Sequence, residues 1–227
     1  MPQAFRSTLL SLRDLLLSAG PLAFLAVGLL ALAYWWLNPT PPHQVTLATG
    51  PAQSAYEAFG MRYQKALAAE GIEVVLVPSE GSSANLQLLR DGRADLAFVQ
   101  GGTAELQPSD QEDLQSLGSL FVEPVWLFYR TQGTSRLRKT DRLDTLPQLR
   151  GLRVNVGTAG SGVPTLMEKL LDANRMKPGD LKLSQLGQTD ATVRFLAGKL
   201  DVLVFASAPE SLMVQMLLQT PAVQLMD

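Results

Sequence analysis

The sequence predicts an α/β protein: two Rossmann-like βαβαβ lobes behind one N-terminal transmembrane helix. Three observations carry that prediction. Residues 15–37 are nearly all apolar, and no Asp, Glu, Lys or Arg occurs from Leu15 to Tyr56. Beyond residue 44, short runs rich in valine and leucine alternate with amphipathic stretches, the pattern of a parallel sheet with crossover helices. The third is a repeated phrase: "GRADLAFVQ" at 92–100 returns as "GKLDVLVFA" at 198–206.

The N-terminal segment comes first. About 20 apolar residues cross a hydrocarbon core, and 15–37 suffices. Arg6 and Arg13 precede it and hold the arm of residues 1–14 in the cytoplasm. Tyr34, Trp35 and Trp36 close the span as aromatics do at a membrane interface, which puts everything after Asn38 outside. "ALA" at 31–33 also fits a small-residue cleavage site, so a signal peptide cut after Ala33 is the rival reading. Either way the rest is exported from the cytoplasm. Proline-rich residues 38–44 then form a stiff linker.

The first lobe spans 45–125. Residues 45–50 read as a buried strand ending at glycine, 54–71 as an amphipathic helix stopped by Gly71, and 72–78 as a second strand. A serine-started, glycine-stopped helix over 82–92 leads into a third strand at 94–100. An extended apolar segment at 117–130 follows, broken by Glu123 and Pro124 where the chain crosses to the second lobe, 126–227. Glu123 is a hinge cap or a ligand contact, and the sequence leaves both open. After a polar surface stretch at 131–151 the pattern restarts. Strands at 152–157, 181–186 and 200–206 alternate with helices at 161–174, 189–198 and 209–219.

The repeat has a fixed period. Gly50 and Gly157 lie 107 residues apart, and Gly92 and Gly198, like Asp95 and Asp201, lie 106 apart. A period of 20–50 residues would mean a solenoid, so a spacing this large means one lobe built twice. The phrase itself reads as structural: glycine ends a helix, the basic residue meets its C-terminal dipole, and aspartate enters the buried strand.

Composition excludes several function classes. A net charge of −2 offers no basic surface for nucleic acid. There is no cysteine, hence no disulfide, thiol catalysis or cysteine metal site. A triad or a histidine zinc site would rest on His43 alone, in the linker. No catalytic residue, metal site or cofactor is predicted, and binding rather than enzymatic turnover is the expectation. Ligands of open parallel sheets lie beyond the strands' carboxyl ends, at helix N-termini. Three loops qualify: 49–56, 79–85 and 157–162, each with glycines, hydroxyls and free N–H groups suited to a small anion. Gln100 ends the third strand at the same edge, and Tyr56 opens the first helix as a ligand cap or a partly buried aromatic.

The runs "VTLATG…SAY", "EGSSANLQLLRDGRADLAFVQGGTA", "LFVEPV" and "LRGLRVNVGTAGSG" resemble the TAXI-type solute-binding proteins of TRAP transporters, over residues 45 to about 215. The resemblance implies a type II periplasmic binding-protein fold whose lobes close on a small acidic solute, a glutamate-like amino acid or a dicarboxylate, and pass it to membrane permease subunits. It also implies ligand contacts at Tyr56, at Ser82, Ser83 and Asn85, at Gln100, and at Thr158 and Ser161. Proteins of this fold return from the second lobe to finish the first. Here "TPAVQLMD" stands where that return would begin, so the fold is read as shortened at the C-terminus, in a fragment or in a naturally short relative. A membrane-tethered sensor is the alternative function, and an enzyme on the same fold a third.

Overall fold

The computed structural model describes residues 3–37, 42–103, 107–132 and 142–226. It separates into two units, Met1–Pro42 and His43–Asp227. Part of the proline-rich linker, residues 38–41, and much of the polar stretch, 133–141, lie outside the described residues.

The first unit is one helix, α1 (Gln3–Leu37), with Pro21 inside it. Its stretch Ala19–Leu37 has a mean hydropathy of 1.8 and is long and apolar enough to cross a membrane. Apolar side chains such as Phe24, Leu30 and Trp36 are exposed around it. The arm expected at 1–14 is helical from Gln3 onward.

In the second unit, β1 (Gln44–Ala48), β2 (Glu73–Val77) and β3 (Leu96–Ala97) form a parallel sheet in the order β2-β1-β3. Two helices make the crossovers, α2 (Ala55–Ala69) and α3 (Ser82–Arg90). The Ser54 side chain caps α2 by accepting from Glu57 N at 3.2 Å, and the Glu57 carboxylate reaches back to Gln53 N at 2.6 Å. Leu47, Tyr56, Val74 and Phe98 make the core, and the Phe59 ring stacks on Phe121 at 4.2 Å between centroids. The third strand is far shorter than the run 94–100. Phe98 N still donates to Ala48 O of β1 at 3.3 Å, and side chains take over beyond it: Asn85 Nδ2 donates to Phe98 O at 2.8 Å, and Gln100 N donates to Ser82 Oγ at 2.9 Å.

The chain then passes through a one-turn helix, α4 (Asp110–Asp113), and enters the second sheet at β4 (Val125–Arg130). The extended segment 117–130 is therefore strand only in its second half, and Leu117, Leu120 and Val122 stay exposed. The other strands are β5 (Arg153–Asn155), β6 (Lys182–Ser184), β7 (Val202–Ala206) and β8 (Val223–Leu225), in the order β6-β5-β7-β4-β8. Strands β5, β6 and β7 run parallel, while β4 is antiparallel to both β7 and β8. Helices α5 (Val163–Ala173), α6 (Gln188–Leu196) and α7 (Leu212–Leu218) cover the sheet. Met167, Leu171, Leu152 and Val204 fill one core and Phe128, Phe195, Leu203 and Leu217 the other, so β7 is apolar on both faces. The last apolar run lies at residues 223–225. It pairs as β8 with β4, Phe128 opposite Leu225, and covers that edge.

The repeat holds down to single hydrogen bonds. Gly92 and Gly198 follow their helices at φ of 65° and 77°, a conformation glycine takes without strain. Asp95 exchanges backbone and carboxylate bonds with Thr46 of β1, N to O at 3.0 Å and Oδ2 from N at 2.7 Å. Asp201 does the same with Arg153 of β5, at 2.9 Å each. Each aspartate staples a helix exit to the neighbouring strand.

The two staples differ in burial. Asp201 is 3% exposed and also takes the Arg153 guanidinium, Nη2 to Oδ1 at 2.6 Å, whereas Asp95 is exposed. Burial pushes the Asp201 carboxyl up, but the Arg153 guanidinium and N–H outweigh it and hold it below the usual carboxylate range. Asp201→Ala is therefore expected to cost about 2–3 kcal/mol in urea unfolding and Asp95→Ala under about 1 kcal/mol. The Asp201 contribution is present above the ordinary carboxylate pKa and is lost as the pH falls through the lowered one. Equal costs for the two substitutions would refute the assignment.

Candidate functional site

A cavity of about 240 Å³ opens between the carboxyl ends of the two sheets. Four strand-to-helix turns reach it. Pro51, Ser54 and Tyr56 come from the β1–α2 turn, and Ser79 to Ser82 from the β2–α3 turn. Gly157, Thr158 and Ser161 come from the turn after β5, and Gly187 and Gln188 from the turn before α6. Gln100, Glu123 and the end of β7, Phe205 to Ser207, complete the wall. Helices α3, α5 and α6 each open on a glycine, Gly81, Gly162 and Gly187, with no side chain bonded to the first turn. Their leading N–H groups, which α5 lacks at Pro164, carry the positive end of the helix dipole.

The polar floor is a chain of hydrogen bonds. Gln100 N can only donate, and it does so to Ser82 Oγ at 2.9 Å. Ser82 Oγ lies 3.2 Å from Tyr56 Oη, a bond in which either hydroxyl can donate, and Tyr56 Oη donates to Glu123 Oε2 at 2.7 Å. Ser82 and Tyr56 are buried, 1% and 8% exposed, so both hydroxyls depend on this chain. Burial, followed by the Glu123 charge, pushes the Tyr56 phenol far above its ordinary value, which keeps it a donor. Burial raises the Glu123 carboxyl as well, with the Tyr56 hydrogen bond working against it.

The two walls touch beside the cavity. Glu80 Oε2 accepts from Gly160 N at 3.1 Å, and Lys169 Nζ of α5 donates to Gly102 O. Gly81 lies so near Ser161 that an added Cβ would stand 2.9 Å from Ser161 Cα.

Five of the seven ligand contacts expected from the sequence line this cavity: Tyr56, Ser82, Gln100, Thr158 and Ser161. Ser83 and Asn85 stand off its wall. Asn85 is fully buried and braces the turn, donating to Phe98 O at 2.8 Å and accepting from Ser79 Oγ at 2.6 Å. Sequence reasoning passed over Glu80, Gln188 and Ser207 and left Glu123 open. The repeat could have found Gln188, because the offset of 106 carries Gly81 and Ser82 onto Gly187 and Gln188. Ser207 carried no signal, since it reaches the wall only through the pairing of β7 with β4. Among the described residues no cluster of ligands suits a metal ion.

Residues 47–227 match the family described as NMT1-like. The fold is that of periplasmic solute-binding proteins. The alkanesulfonate-binding protein SsuA from Xanthomonas axonopodis pv. citri, bound to MOPS, superposes with a TM-score of 0.52 at 18% identity over 83% of this chain. The chain spans 61% of that protein's length. A substrate-binding protein of an ABC uptake transporter from Streptococcus pneumoniae, with bound histidine, gives 0.56 at 12% identity, covering 81% of this chain and 74% of its own. The CcmR regulatory domain from Synechocystis, in complex with 2-PG, gives 0.53 at 16% identity, covering 81% and 80%.

Proposed function

This chain belongs to the NMT1-like family, and on that premise we propose that it is an extracytoplasmic solute-binding protein. It captures a small solute with an acidic group and delivers it to membrane permease subunits. One observation carries the reading: the cavity is walled from both sheets by the turns at their carboxyl ends, where α/β folds hold ligands. The uncapped first turns of α3, α5 and α6 suit an acidic group, and a glutamate-like amino acid or a dicarboxylate is the class proposed. The seven sequence-derived residues remain the proposed contacts, with Ser83 and Asn85 acting through the turn they belong to. Residues 45–125 and 126–227 would act as the two closing lobes.

The loop motifs point to a TRAP-type permease, while a binding protein of an ABC uptake transporter shares the fold. The permease class is thus the finer part of the proposal. Helix α1 would tether the protein on the periplasmic side of the inner membrane, or direct its export before cleavage after Ala33. A membrane-tethered sensor is the second reading, favoured by the likeness to a regulatory domain.

Trp126 supplies the test, because its Nε1 donates to Ser207 O in the cavity wall at 2.9 Å. The full chain in detergent, with Trp35→Phe and Trp36→Phe to leave this one reporter, is titrated with L-glutamate, 2-oxoglutarate, succinate and glucose. A saturable change in emission with an acid and none with glucose is expected. A protein that melts cooperatively and responds to none of them would sink the binding reading.

A further inference from the structure

The charges around the cavity do not suit a purely anionic solute. Among its described lining residues there is no lysine, arginine or histidine, and there are two carboxylates, Glu80 and Glu123. Glu80 is exposed, and its Oε2 already accepts from Gly160 N at 3.1 Å. Glu123 is half-buried at the crossing between the sheets, next to Pro124, and accepts from Tyr56 at Oε2.

One hydrogen bond bears directly on the state of Glu123. The Tyr56 hydroxyl donates to its Oε2 at 2.7 Å, and a donor held at that oxygen favours the ionised carboxylate. Burial opposes that charge. A carboxylate held as an anion and partly stripped of water is relieved by a counter-cation, and the described lining residues provide none.

Resting on the solute-binding reading above, we infer that Glu123 is the specificity residue of the cavity and takes a protonated nitrogen of the solute. The solute then carries an ammonium or amidinium group beside any acidic one. A diacid without nitrogen would set its own charge against Glu123. Tyr56 is a positioning residue here: its hydroxyl orients the carboxylate and leaves the second oxygen, Oε1, for the ligand. The first turns of α3, α5 and α6 remain for the acidic end, so one cavity reads both halves of a zwitterion.

Matched pairs test this by calorimetry on the full chain in detergent. The pairs are L-glutamate and 2-oxoglutarate, L-aspartate and succinate, β-alanine and propionate, and taurine and ethanesulfonate. Each is run against wild type and Glu123→Gln. The glutamine amide oxygen still accepts from Tyr56, so the variant is expected to melt no lower than wild type. Wild type is expected to bind the amine member of at least one pair and to prefer it about 100-fold over its nitrogen-free partner. Glu123→Gln is expected to lose about that factor for the amine and to leave the partner's weak binding unchanged. Nitrogen-free members binding as tightly as the amines, or a variant that keeps full affinity for them, would overturn the inference while leaving solute binding intact. A cooperatively melting wild type that binds no member of any pair would overturn the solute-binding reading itself.

Discussion

Gly81→Ala is expected to lower the unfolding free energy by about 3 kcal/mol and to weaken any solute that the cavity holds. Two costs add. Gly81 sits at φ 131° and ψ −151°, a region essentially closed to residues with a Cβ, which by itself costs about 1–3 kcal/mol. The added methyl would also stand 2.9 Å from Ser161 Cα and 3.2 Å from Ser161 O, backbone atoms that cannot swing aside. Relief requires the first turn of α3 to part from residues 159–162, which widens the cavity and breaks the Glu80 bond to Gly160. Gly92→Ala separates the two costs. Gly92 has φ of 65° with nothing within 4 Å of an added Cβ, so only the backbone penalty of about 1–2 kcal/mol applies. Urea unfolding of the full chain in detergent reads both variants. Equal losses would mean that the approach of Gly81 to Ser161 contributes nothing.

That close approach explains why some of the fold was legible in the sequence and some was not. Strands β1, β2, β5 and β7 were readable because each lies in a valine- or leucine-bearing run beside a glycine. The paired Gly-Asp phrases were readable because each encodes one local staple, Asp95 on Thr46 and Asp201 on Arg153. Strand β3 was overdrawn for the opposite reason. "LAFVQ" has strand composition throughout, yet the Phe98 carbonyl and the Gln100 N–H are claimed by side chains 13 and 18 positions earlier in the chain. The partner of the apolar run at β8 was not legible, because such a run states that it will pair and not with which edge. Glu123 shows the same limit at the site. Its place before Pro124 marked a crossing, but its bond to Tyr56 spans 67 residues and exists only once both sheets are formed.

Asn85→Ala is the second large effect, and it falls on stability. Asn85 is fully buried, and its amide is the only donor that the Phe98 carbonyl meets at hydrogen-bond distance among the described residues, at 2.8 Å. Truncation orphans that carbonyl and leaves a small void. Ser79 loses an acceptor too, but its hydroxyl can turn to Thr49 O at 2.9 Å, so a single group stays unsatisfied. The expected loss is about 2–3 kcal/mol, against under about 0.5 kcal/mol for Ser83→Ala two residues earlier. Asn85→Asp sharpens the test, because it exchanges the donor for an oxygen facing Phe98 O. At neutral pH it should be at least as damaging as alanine. Burial and the facing carbonyl would raise the new carboxyl's folded pKa above its unfolded value, so the folded state binds the extra proton. Its stability therefore falls as pH rises through that window and recovers as pH falls, when the protonated acid can donate to Phe98 O. Unfolding free energies of Asn85→Asp and Asn85→Ala that stay parallel from neutral pH down to pH ~4 would refute the amide's role as the donor that turns β3 into the cavity.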